Sequence, residues 1–172
     1  SEISHHTQGD PMKTKFSVLL AALALAVSSN IYAAESADAH HHSHGSAEPT
    51  KLQLNAGKKW ATDEPLRQAM SDINQAMAKA LPAIHKNQFG NAEYQALATT
   101  VSGRVAYAVE HCKLEPKADA MLHLVIADLM AGTESMEGKT SNSRHDGAVQ
   151  VLEALKSYGK YFQHPGWKAT KG

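Results

Sequence analysis

The chain has a single cysteine, Cys112, among its 172 residues. No internal disulfide can form, so the fold must stand on its apolar core. The thiol is then a buried inert group, a metal ligand or half of an intermolecular bridge. An excess of one charge is also missing. Lys and Arg number 17 and so do Asp and Glu, which supplies no field for nucleic acid or an anionic lipid surface. There is no strand-like alternation flanked by turns and no repeat of solenoid length. Catalytic signatures are missing as well: no Ser nucleophile elbow, no phosphate-cradling glycine loop, no His-Glu-x-x-His. The helical segments carry no Glu-x-x-His pair for a di-iron site, and adjacent Glu110 and His111 point apart. No Cys-x-x-Cys-His marks covalent haem. Nothing in the sequence argues for an enzyme.

Long apolar runs are scarce too, and the one present is informative. Residues 16–27 (FSVLLAALALAV) follow a short basic start, Met12-Lys-Thr-Lys15, and are too few to span a bilayer stably. Residues 28–33 then supply a polar-to-small exit, with Ile31 and Ala33 at positions −3 and −1. Charged start, short apolar core and small-residue exit in that order read as a secretory signal peptide over 12–33. A mature chain from about Ala34 and a periplasmic location are expected. No cysteine stands at the cleavage point, which argues against a lipoprotein anchor, and no second apolar run could cross a membrane. Residues 1–11 resemble vector-derived sequence and are set aside.

Residues 34–61 divide into a His-rich leader expected to be disordered and a connector holding Leu52, Leu54 and Trp60. Four helical patterns occupy residues 62–164. The first has Thr62 as N-cap, Pro65 in its first turn and apolar positions Leu66, Met70, Ile73, Met77, Leu81 and Ile84, with Pro82 expected to bend or fray its end. The second shows Tyr94, Leu97, Val101, Val105, Ala108 and Cys112. The third starts at Pro116 and carries Ala118, Leu122, Val125, Leu129, Gly132 and Met136. The fourth shows Ala148, Leu152, Leu155, Gly159 and Phe162 and is expected to stop at His164, before Pro165. Residues 165–172 form a tail. Four similar helices with short connections predict an all-α, antiparallel up-down-up-down four-helix bundle. Each helix alone would be marginal, so the stripes must bury one another.

That topology places Met70, Cys112, His123 and His164 within about two turns of one pole, at ~1.5 Å rise per residue. His111 lies beside them, one step off the stripe; His85 and His145 belong to the other pole. Each residue also has a plain structural role. Met70 and Cys112 can be core filler. His164 can cap the last carbonyls of its helix. His123 can simply share a hydrogen bond with Asp119 one turn earlier. Taken together, a thioether, a thiol and two imidazoles from four helices would suit copper(I) or zinc, with Asp119 and His111 behind the ligands. A separate signal lies in the leader: His40, His41, His42 and His44 stand within five residues, and such tracts bind copper, nickel or zinc. The tract follows the signal segment and is interrupted by Ser43, unlike a purification tag.

The segment 66–74 (LRQAMSDIN) resembles the Met-bearing stretch of cytochrome b562, a periplasmic four-helix bundle, and 155–164 (LKSYGKYFQH) resembles its His-bearing stretch. The resemblance implies haem b held by Met70 and His164, and electron transfer. Residues 54–67 (LNAGKKWATDEPLR), 111–123 (HCKLEPKADAMLH) and 161–167 (YFQHPGW) look like a family of exported bacterial proteins with His-rich leaders. That family implies a periplasmic setting but no defined activity. Three functional expectations follow: a non-enzymatic periplasmic metal-binding bundle, copper first; a haem b electron carrier; and a metal-free adaptor that docks on a periplasmic protein through Trp60 and Trp167.

Overall fold

The computed structural model describes residues 51–172. The signal-like segment and the tract His40, His41, His42 and His44 lie outside the described residues. Those described form four helices, α1 (Glu64–His85), α2 (Asn91–His111), α3 (Pro116–Met136) and α4 (Arg144–Tyr161), with no named strand among them. No helix among the described residues is long and apolar enough to cross a membrane.

The helix starts follow from local chemistry. Asp63, not Thr62, caps α1: its Oδ1 accepts the Leu66 N–H at 3.1 Å. Thr62 is occupied elsewhere, its hydroxyl donating to the Gln163 carbonyl at 2.6 Å. Glu93 reaches back to the Gly90 N–H at 2.6 Å to close the first turn of α2. Pro116 opens α3, where its missing N–H costs nothing. Ser143 and Asp146 form a reciprocal box at α4, with the Asp146 N–H donating to Ser143 Oγ at 3.0 Å and that hydroxyl donating to Asp146 Oδ2 at 2.7 Å. Helix α1 continues through Pro82 to His85.

All four apolar stripes turn inward. Leu66, Ile73, Met77, Val101, Val125, Leu129, Met136 and Leu155 are fully enclosed. Helix α4 buries a wider face than its stripe predicts, adding Val151, Ala154 and Tyr158. Consecutive helices pack together, α1 also meets α4, and the α3–α4 pair is the most intimate while α1–α4 is the least. Two glycines explain the close pair. A Cβ on Gly147 would lie 2.6 Å from the Gly132 carbonyl oxygen, and a Cβ on Gly132 would lie 2.8 Å from that of Gly147. The backbones touch because neither residue has a side chain.

Helix α4 ends at Tyr161, three residues before His164. The cause is a pairing made a hundred residues away in sequence. Trp60 donates its N–H to the Tyr161 carbonyl and accepts from the Gln163 N–H, both at 2.8 Å. This bridge pulls Phe162 into extended backbone, at φ −116° and ψ 141°. Trp60 is itself buried, its indole N–H donating to the Gln53 carbonyl at 2.7 Å.

Candidate functional site

Around the start of α1 and the end of α2, one carboxylate joins two elements. Asp63 caps α1 with Oδ1 and accepts the Lys113 N–H with Oδ2 at 2.6 Å. Cys112, the capping residue of α2, is therefore held next to it, its own N–H donating to the Ala108 carbonyl at 2.8 Å. The thiol is half-buried and free. Burial, then the negative charges of Asp63 and Asp119, push its pKa up and keep it protonated.

Asp119 neighbours a second candidate as well. His123 places Nδ1 3.0 Å from the Asp119 carbonyl oxygen and 3.5 Å from its carboxylate. A carbonyl can only accept, so Nδ1 carries the proton and the lone pair resides on Nε2. The ring stands 60% exposed, with that lone pair available. His111 repeats the pattern: Nδ1 lies 2.9 Å from the Tyr107 carbonyl, and the ring stacks on Tyr107 at 4.4 Å. A backbone acceptor on Nδ1 is how proteins orient an imidazole toward a metal. Both histidines thus have the ligating tautomer.

His164 differs. Its Nδ1 lies 3.0 Å from the Tyr158 hydroxyl. Tyr158 is fully buried and, among the described residues, its hydroxyl has no other hydrogen-bond partner, so donation to Nδ1 is the arrangement that satisfies its proton. The remaining proton of the neutral ring is then on Nε2, which faces Ser71 Oγ at 3.4 Å. Burial and the nearby Arg67 charge hold the ring's pKa below 6.5, against a smaller opposing pull from Glu64, and favour the neutral form. The ring borders an open depression of about 590 Å³ lined by Glu64, Arg67, Gln68, Ser71 and Pro165.

Met70 belongs to the closed core at 2% exposure. Cys112 and His123 share Asp119 as a neighbour, whereas His164 is engaged by Tyr158 and Ser71. Among the described residues no three His, Cys, Asp or Glu side chains gather as a metal-holding group. Haem b, which the likeness to cytochrome b562 implies, does not fit Met70 and His164 as arranged here. The thioether is enclosed, and the imidazole Nε2 meets the Ser71 hydroxyl while Nδ1 meets that of Tyr158. The two tryptophans are also committed inside the chain, Trp60 as described and Trp167 against Tyr158 at 4.9 Å. Tyr158, which ties these groups together, was not marked by the sequence. A tyrosine one step from the Leu155–Gly159 stripe carries no signal for its buried hydroxyl. No family model matches the chain, and no curated protein or solved structure matches it.

Proposed function

We propose that this is an exported, non-enzymatic metal-binding protein, with copper as the first candidate ion. On this reading the signal-like segment directs the chain to the periplasm, and His40, His41, His42 and His44 capture the ion. A second contribution comes from Cys112 and His123 on the bundle, with His111 and Asp119 beside them; Met70 and His164 play structural roles. The bundle is read as antiparallel and up-down-up-down. Supporting this, the segment after α2 bonds to the cap of α1 through Lys113 and Asp63, and the segment after α4 bonds to the segment before α1 through Gln163 and Trp60. The Arg144 guanidinium at the start of α4 likewise donates to the Met136 carbonyl at the end of α3.

The observation that carries the proposal is the orientation of His123. Its Nδ1–H rests on the Asp119 carbonyl and its ring stands exposed, while the charge of the same Asp119 acts on the Cys112 thiol. Sulfur and imidazole together favour copper(I) or zinc over hard cations. The test is anaerobic metal analysis of untagged protein purified from the periplasm. Copper or zinc near stoichiometric amounts, without a Soret band, is expected. Protein that emerges metal-free from copper- and zinc-replete cells would contradict the proposal, and an intense Soret band would favour the haem carrier.

A further inference from the structure

The residues beyond α4 form no helix, yet they are fastened in two stages. The first stage belongs to the bundle: Gln163 donates to Trp60 and accepts from the Thr62 hydroxyl. A turn follows, closed by the Trp167 N–H on the His164 carbonyl at 3.1 Å, with Gly166 at φ +75°. Only glycine holds that backbone conformation without strain.

The second stage crosses from α4 to α1. Trp167 lies on α4 over Gly159, where any Cβ would overlap the indole. Asn74 of α1 then grips the backbone at two points: its Nδ2 donates to the Lys168 carbonyl at 3.0 Å, and its Oδ1 accepts the Thr170 N–H at 2.8 Å. The Thr170 hydroxyl adds a bond to the Asn74 carbonyl at 3.2 Å. One amide side chain thus satisfies a carbonyl and an N–H two residues apart, as a neighbouring strand would. The segment lies across the pair of adjacent helices that meet least directly.

We propose that residues 167–170 are a releasable strap over the α1–α4 seam, opening as a unit about the Pro165–Gly166 turn while the bundle stays folded. Two observations favour release at this point. Among the described residues the strap's hydrogen bonds to α1 all go to Asn74, whereas Gln163 is tied into the Trp60 bridge. In addition, the Trp167 indole N–H is buried without a partner among the described residues, and water satisfies it once the strap lifts. The indole of Trp60, by contrast, is bonded to Gln53 and has nothing to gain by leaving. Opening takes the Trp167 ring away from His164, which it meets at 4.9 Å. The inference stands on hydrogen bonding and packing, independently of any metal.

Native-state hydrogen exchange on the full chain tests it. The Thr170 amide should be protected, yet exchange through an opening insensitive to low urea and at least about a hundredfold faster than core amides of α4 such as Leu155. Asn74→Ala should speed Thr170 exchange by about tenfold while leaving the Gln163 amide unchanged. Gly159→Ala, which displaces the indole from the other side, should have the same effect on Thr170. The proposal is overturned if Thr170 exchanges only with global unfolding, if it shows no protection, or if neither substitution changes its rate.

Discussion

The hydroxyl of Tyr158 lies 3.0 Å from Nδ1 of His164, and as a donor there it leaves the proton of the neutral ring to Nε2. Burial raises the phenol pKa strongly, so the group stays a donor throughout the physiological range. Tyr158→Phe removes the donor and leaves Nδ1 unpaired. The variant should lose about 1 kcal/mol of stability, the typical net worth of one hydrogen bond. Long-range nitrogen–proton spectra of His164 should move from the Nε2–H tautomer to a mixture. Unchanged imidazole nitrogen shifts would show that the hydroxyl does not set the tautomer.

The same ring makes stability depend on acid. Its folded pKa is depressed, chiefly by burial and then by Arg67, so the unfolded chain takes up a proton more readily. The contribution is therefore present above the unfolded value of about 6.5 and is lost as pH falls through the lower folded value. Melting temperatures of His164→Gln, compared with the parent between pH 7.5 and about 4.5, should fall less steeply. Parallel curves would contradict this assignment.

The Gly132–Gly147 contact predicts opposite results for similar substitutions. Gly147→Ala drives a methyl into the Gly132 carbonyl, with the backbone of α3 unable to yield cheaply, and should cost about 1–3 kcal/mol. Gly103 lies exposed in the middle of α2 with nothing within 4 Å of its would-be Cβ. Gly103→Ala should raise stability by up to about 1 kcal/mol. Thermal or urea melts of the two variants decide the matter.

Much of this fold can be read from spacing alone. Leu66, Met70, Ile73 and Met77 recur every three or four residues, and all are buried as that rhythm demands. Pro116, at the start of α3, carries a similarly local signal. What spacing cannot convey is contact between distant segments. The end of α4 is decided by Trp60, and the intimacy of α3 and α4 by two glycines that meet only after folding. The candidate site shows the same limit. Counting turns places Met70, Cys112, His123 and His164 at similar heights, but height does not determine direction around the bundle axis. Met70 turns into the core, His164 is engaged by Tyr158 and Ser71, and Cys112 and His123 have Asp119 in common.

Burial together with Asp63 and Asp119 should make Cys112 a slow nucleophile. Its alkylation by iodoacetamide at about pH 8 should lag behind that of the urea-unfolded chain. Asp119→Asn removes one of the two charges and should accelerate it. A rate already equal to the unfolded chain would mean that the thiol is neither shielded nor opposed by negative charge. The same substitution withdraws the carboxylate beside His123, so any metal held by the two residues should bind more weakly as well.

Copper(I) titration against a competing chelator, under anaerobic conditions and on a chain of residues 34–172, tests the metal-binding account most directly. Replacing His40, His41, His42 and His44 with alanine should abolish one class of sites. That class should also weaken as pH falls through about 6.5, because only neutral imidazole coordinates. Cys112→Ala and His123→Ala should each weaken a second class and spare the first. Copper affinity that is the same in the parent, the tract variant and both bundle variants would contradict the account, leaving Cys112 as a packing thiol and His123 as a surface histidine.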